Sequence, residues 1–193
     1  DGHAEPTGSI DGEMFAVAPS AGGNVVAAGR DGLDAVVTKL SSTGAPVGAF
    51  STDGVATTRL GASGSTGCGS NAIAFGVADG GSGRVLLAGQ ATLTDCTARF
   101  AVARLGADGL PDQLWGTNAP DHGLTWLPTG ATRSTEVTLQ PDGKVLASGL
   151  GSYPGPGQSA QNSILLARLT TTGALDSSFG SGGAPAGIAQ TRL

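Results

Sequence analysis

Val137-Thr138-Leu139-Gln140-Pro141-Asp142-Gly143-Lys144-Val145-Leu146-Ala147-Ser148-Gly149 is an apolar run, a turn and a second apolar run that stops at glycine. Asp-Gly tolerates positive φ, so the stretch reads as a β-hairpin. It is not alone in the chain. A shift of 60 residues brings Val17, Val77 and Val137 into register. The same shift aligns Val25-Val26-Ala27-Ala28-Gly29 and Val85-Leu86-Leu87-Ala88-Gly89 with Val145–Gly149. A second anchor follows in each copy: Thr38-Lys39-Leu40, Ala103-Arg104-Leu105 and Ala167-Arg168-Leu169. Four residues after that Leu stands Gly44, Gly109 or Gly173, and ten after it Phe50, Trp115 or Phe179. Fixed internal offsets in three copies mark a tandem repeat, the signature of solenoids and propellers.

Each copy holds four short runs rich in Val, Leu and Ala and bounded by Gly, Asp or Ser, which read as strands. The first strands are Phe15–Ala18, Ala72–Ala78 and Glu136–Gln140; the second are Asn24–Gly29, Arg84–Gly89 and Lys144–Gly149. The third are Asp34–Leu40, Phe100–Leu105 and Ile164–Leu169, and the fourth Gly54–Leu60, Gly123–Leu127 and Gly183–Ala189. No stretch of ten or more residues keeps helical spacing without Gly or Pro. The expectation is an all-β fold, a partial β-propeller of three four-stranded antiparallel blades in a single array. Blades fall at 11–60, 61–127 and 128–193, and residues 1–10 read as an orphan fourth strand from a preceding blade. Three blades do not close a ring, since propellers carry about four to eight. Further blades, from the same or a second chain, are therefore expected partners.

Composition narrows the function. Ten Lys and Arg against 15 Asp and Glu give a formal charge of −5 and no basic footprint, which speaks against nucleic acid. No apolar run is long enough to span a membrane. Opening on Asp1 with one internal Met, Met14, the chain reads as a processed or excised piece.

The third copy resembles the bacterial delta-60 repeat family. The likeness rests on Gln140-Pro141-Asp142-Gly143-Lys144, on Leu166-Ala167-Arg168-Leu169, and on Gly173-Ala174-Leu175-Asp176-Ser177-Ser178-Phe179-Gly180. The other copies lack the Pro-Asp turn and the Leu-Asp pair. The resemblance implies a propeller-like surface or secreted repeat protein with no assigned chemistry, and it carries over no catalytic residue.

In a four-stranded meander the two-to-three loops and the connections to the next blade emerge on one face. Length variation gathers there, at Gly61–Asn71, Gln90–Arg99 and Leu150–Ser163. Variable loops on a fixed scaffold are where recognition is usually built. Tyr153 is the one large amphipathic ring among them and is expected to anchor a protein or glycan, with Gln158, Gln161 and Asn162 hydrogen-bonding beside it. Cys68 and Cys96, the only cysteines, lie in neighbouring insertions on this face. A disulfide between them would close a loop near 28 residues and stabilise by roughly 3 kcal/mol. It would place the protein outside the cell, at its surface or in the periplasm.

Catalytic patterns are missing. His3 and His122 have no nucleophile at motif spacing, and neither G-x-S-x-G nor H-E-x-x-H occurs. Asp112, Asn118 and Asp121 match no calcium loop and read as a turn cluster. No cofactor or metal is expected. Lys39, Arg104 and Arg168 read as one structural cation per blade, paired with turn acids such as Asp34, Asp108 or Asp176. Phe50, Trp115 and Phe179 read as wedges between blades. The expected function is a non-catalytic extracellular or cell-surface module for binding or assembly. The alternative is a fragment of a propeller enzyme, a glycan-active hydrolase or lyase completed by missing blades.

Overall fold

The structure, a computed structural model, describes residues 12–61, 72–118, 123–128, 130–154, 159, 162–180 and 183–192. The expected orphan strand at 1–10 lies outside them. Three four-stranded antiparallel meanders follow one another in strict chain order. The first comprises β1 (Gly12–Ser20), β2 (Asn24–Asp31), β3 (Asp34–Leu40) and β4 (Val55–Thr58). The second comprises β5 (Ile73–Asp79), β6 (Val85–Thr92), β7 (Ala98–Leu105) and β8 (Leu124–Trp126). The third comprises β9 (Ala131–Leu139), β10 (Val145–Gly151), β11 (Ser163–Leu169) and β12 (Ile188–Arg192). Helix among the described residues is limited to two single turns, Ala21–Gly23 and Ser51–Gly54.

The sheets stack face to face with their first strands side by side, β1 along β5 and β5 along β9. Strands alternate their side chains, so each sheet offers one apolar face to each neighbour. Val26, Ala28, Ala35 and Val37 of the first sheet meet Val77, Val85, Leu87 and Ala103 of the second in one core. Leu86, Ala88, Phe100 and Val102, on the second sheet's other face, meet Val137, Val145, Ala147 and Leu165 of the third. Burying one such Val or Leu stabilises by about 1.5–3 kcal/mol. The three-valine register of the sequence therefore marks one position in the first strand of every blade.

A bulge explains the glycine that ends each second apolar run. Pairing in β1 slips between Met14 and Ala16, in β5 between Ala74 and Gly76, and in β9 between Ser134 and Glu136. The slip drives the carbonyls of Glu13, Ile73 and Arg133 into the space that a Cβ would need at Gly29, Gly89 and Gly149. Only glycine admits that approach.

Two strands of the third blade differ from the sequence expectation, and its first, β9, begins at Ala131 rather than Glu136. The third blade's fourth strand is Ile188–Arg192 rather than Gly183–Ala189. What opens a fourth strand is a glycine whose N–H reaches back to the wedge aromatic's carbonyl: Gly54 to Phe50, Gly123 to Trp115, Gly187 to Phe179. Gly183 shares the positive φ and not the bond. The loops Gln90–Arg99 and Leu150–Ser163 are also shorter than expected, because β6, β7 and β10 extend into them.

Candidate functional site

Three surfaces carry the polar and aromatic groups of the fold: a cation–aromatic clasp in each blade, the long-loop face, and the two terminal sheets. The clasp is built by backbone first. After β3, β7 and β11 the chain turns back, and the N–H of Val47, Asp112 or Asp176 bonds the carbonyl of Lys39, Arg104 or Arg168. Three residues later the wedge aromatic donates its N–H to the carbonyl of that same Val47, Asp112 or Asp176. The cation then lies over the ring, 5.6 Å from Phe50, 5.3 Å from Trp115 and 4.7 Å from Phe179. Cations over ring faces are attracted by the ring quadrupole.

Two of the three acids are not those that sequence proximity suggested. Arg104 Nε meets Asp112 Oδ2 at 3.0 Å, and Arg84 Nε meets the same oxygen at 3.2 Å. Asp108 instead caps its own turn, accepting from the Leu110 N–H. Asp34 pairs with Arg59, and Lys39, whose blade has Val47 where the others have aspartate, donates to the Gly83 carbonyl at 2.9 Å. The third expectation holds: Arg168 and Lys144 converge on Asp176 Oδ2 at 2.7 and 2.9 Å. Burial works against ionisation of Asp112, but the Leu114 N–H and the two guanidiniums outweigh it and hold the carboxyl below its ordinary range. Lys144, Ser178 and Arg168 hold Asp176 well below that range. An open groove of about 430 Å³ runs along the second clasp, lined by Ser82, Arg84, Asp108, Asp112 and Gln113. Asp112 and Asp176 are each engaged by two cations, whereas Asp108 on the groove accepts only from a backbone N–H.

On the long-loop face the connections do come together. The Ala72 N–H bonds the Leu33 carbonyl, and Trp126 Nε1 donates to the Leu60 carbonyl at 2.6 Å. Tyr153 is half-buried rather than free. Its hydroxyl donates to the Pro128 carbonyl at 3.1 Å, its N–H bonds Gln190 Oε1 at 2.7 Å, and its ring packs on the second core. Burial pushes its phenol up to about 12. The residue thus fastens its loop to the inter-blade connection. Asn162 is exposed, whereas Gln158, Gln161 and Cys68 lie outside the described residues. Among the described residues no cysteine is free, and Cys96 sits in the turn after β6 at a left-handed φ of 63°. Asn118 Oδ1 accepts the Trp126 N–H, and Asp121 and His122, like His3, lie outside the described residues. No group of three or more metal-ligating side chains occurs among the described residues.

The residues that sequence reasoning missed are those of the bulges. Phe15 and Phe75 sit at the slips of β1 and β5, near the strand starts that face the long loops, with ring centroids 5.6 Å apart. The Arg133 guanidinium caps Phe75 at 5.2 Å. Their signal was available, since Phe15 and Phe75 stand one repeat length of 60 apart.

Four-stranded meanders stacked on their first strands define a β-propeller type of fold. Two stretches of the chain, residues 81–113 and 140–179, match the model of a family described as a beta-propeller domain of unknown function (DUF5122). They hold the ion groups of both aspartate clasps, Arg84, Arg104 and Asp112 in one and Lys144, Arg168 and Asp176 in the other, though Trp115 lies just beyond the first. The first blade, with Val47, lies outside both. The chain has no match among curated proteins.

Proposed function

We propose that the chain is a non-catalytic propeller module for binding or assembly that works outside the cell or at its surface. The observation that supports this most is a difference in exposure at one repeated position. Val77 and Val137 are 5% and 6% exposed under the preceding blade, whereas Val17 is 71% exposed. An apolar position that both internal seams bury is thus open on the first sheet, and exposed apolar surface commonly marks interaction sites. A glycan or peptide on the long-loop face would meet Phe15, Phe75 and Arg133 as a stacking row, with Asn162 and the neighbouring Gln158 and Gln161 as polar contacts. A Cys68–Cys96 disulfide joins the loops of that face and is the basis for the oxidising location. Peptide mapping without reductant should recover the linked pair.

The deciding experiment is a panel of glycoside hydrolase and lyase substrates run beside a glycan array on the purified chain. No turnover is expected with any substrate. Turnover that survives repurification would replace the module reading with the propeller-enzyme one.

A further inference from the structure

We infer that the groove along the second clasp is a binding site for a neutral saccharide, whose hydroxyls meet Ser82, Arg84, Asp108 and Gln113. It lies between the β5–β6 turn and the β7–β8 connection, on the face opposite the long loops. It therefore goes beyond the long-loop reading and is independent of it. Its volume of about 430 Å³ falls within the roughly 300–1,000 Å³ of small-molecule sites.

The groove presents hydrogen-bonding capacity that the fold leaves over. Arg84, its side chain 42% exposed, gives Nε to Asp112 Oδ2 at 3.2 Å. Both terminal amino groups of its fork are without a partner among the described residues. Asp108 accepts the Leu110 N–H on Oδ1 and has Oδ2 unengaged. Gln113 donates through Nε2 to the Pro111 carbonyl, which leaves its Oε1. The Ser82 hydroxyl is also without a partner among the described residues, and Ser82, Asp108 and Gln113 are all exposed. Donors and acceptors thus stand side by side, as a polyol requires.

Charge and shape select against other occupants. Arg84 and Arg104 share Asp112, and the Asp108 carboxylate balances the positive charge that remains. Such a lining has no net field to draw in an anion or a cation. Every lining residue lies outside the strands, so no strand edge is offered for a peptide to extend. Pro111 and Ala107 supply small apolar patches rather than a pocket for a side chain. A sugar ring, apolar on its faces and hydroxylated at its rim, matches both.

The first blade holds the groove ready. Lys39 Nζ donates to the Gly83 carbonyl beside Ser82 at 2.9 Å, and the Ser51 N–H bonds the Asp108 carbonyl at 2.9 Å. In each seam a left-handed glycine receives the wedge turn. A Cβ on Gly109 would meet Ser51 at 3.1 Å, and one on Gly173 would meet the Trp115 ring at 2.8 Å. Groups fixed in this way lose little freedom on binding. Ser82 adds strain, since its φ is 53° where the first blade has Gly22. It keeps a hydroxyl at a backbone cost that glycine avoids, and strain of this kind gathers at functional sites. The third blade lacks the set. Lys144 stands for Arg84 and spends its ammonium on Asp176, while Thr172 and Ser177 replace Asp108 and Gln113.

Nuclear magnetic resonance on the nitrogen-labelled whole chain tests this. The probes are neutral trisaccharides of glucose, galactose and mannose at millimolar concentration, with trigalacturonate and triglycine as charged comparisons. At least one neutral trisaccharide should give saturable shifts at the Arg84 Nε–H, the Gln113 side-chain amide and the Ser82 and Asp108 backbone amides. Arg84→Lys, which keeps an ion pair of the kind Lys144 makes, and Gln113→Ala should each weaken that binding about five- to tenfold. Ser82→Gly should weaken it too while raising the midpoint of urea denaturation, a combination that a merely structural serine would not give. Unshifted spectra with all three neutral trisaccharides would overturn the inference, as would shifts that Arg84→Lys and Gln113→Ala leave unchanged. Saturation by trigalacturonate or triglycine alone would overturn the saccharide class. Shifts confined to Phe75 and Asn162 would overturn this site and support the long-loop reading instead.

Discussion

The first and third blades share a backbone plan and differ in how they close it. In the third, Lys144 and Arg168 share the Asp176 carboxylate, and Ser178 donates to its other oxygen through both N–H and hydroxyl. In the first, Asn24 and Val47 stand in the places of Lys144 and Asp176, so Lys39 crosses to the Gly83 carbonyl of the next blade. The same turn is thus pinned from within in one blade and from outside in the other. The difference teaches that the aspartate ties strands inside a blade, while the wedge, its glycine and the apolar faces tie blades together.

The largest contrast concerns the receiving glycine. Gly173→Ala and Gly44→Ala both force a side chain into left-handed backbone, at about 1–2 kcal/mol. Gly173→Ala also drives a Cβ into the Gly116 backbone and the Trp115 ring, adding about 1–3 kcal/mol of overpacking. Urea denaturation of the two variants should show the larger loss at Gly173. Equal losses at the two sites would break the equivalence of seams.

Next comes the carboxylate itself. Asp112→Ala leaves Arg84 and Arg104 without their shared acceptor and should cost about 1–3 kcal/mol. The pH dependence has a definite sign. Asp112 and Asp176 have folded-state values below the unfolded value of about 3.9, so their contribution is full above it and is lost as pH falls through and below it. Asp79, held low by Ser20, Ala21 and Gly81 against the opposing effect of burial, adds to the same slope. Stability measured from pH 6 to about pH 2 should fall less steeply in Asp112→Ala than in the parent. A parallel curve would show that this clasp is not linked to folding.

The smallest effect is a transplant. Val47→Asp gives the first blade the acid it lacks, beside Lys39. A gain below about 1 kcal/mol is expected, because the new pair is partly solvated and Asn24 cannot contribute a second cation. A loss in thermal melting would mean that Val47 matters more for its packing on the first core.

Repeat length, strand number and blade order were legible because they depend on apolar spacing, which survives loop variation. β3 was readable to its ends, since Asp34 opens the Ala- and Val-rich run and Ser41-Ser42 follow Leu40. The fourth strand of the last blade was not. Gly180, Gly183 and Gly187 all take positive φ, and only the bond to the Phe179 carbonyl singles out Gly187. The clasp was half legible. One cation per blade is visible in sequence, but its acid is set by the bridges Leu105–Pro111 and Leu169–Leu175, which return the next residue to the cation's side. Tyr153 was misjudged for a related reason: Pro-Gly neighbours say exposed, while a carbonyl at Pro128 and an amide at Gln190, far along the chain, hold it down.

The bond from Lys39 to Gly83 spans 44 residues, whereas Arg104 and Asp112 are eight apart. On a ribosome that interval is time. Synthesis proceeds from the N-terminus at about 5–20 residues per second, so the first blade emerges seconds before the carbonyl that will hold its lysine exists. The second blade meets its own acid almost at once. The first blade's lysine therefore waits on a neighbour still being translated, while Arg104 waits only for the eight residues that bring Asp112.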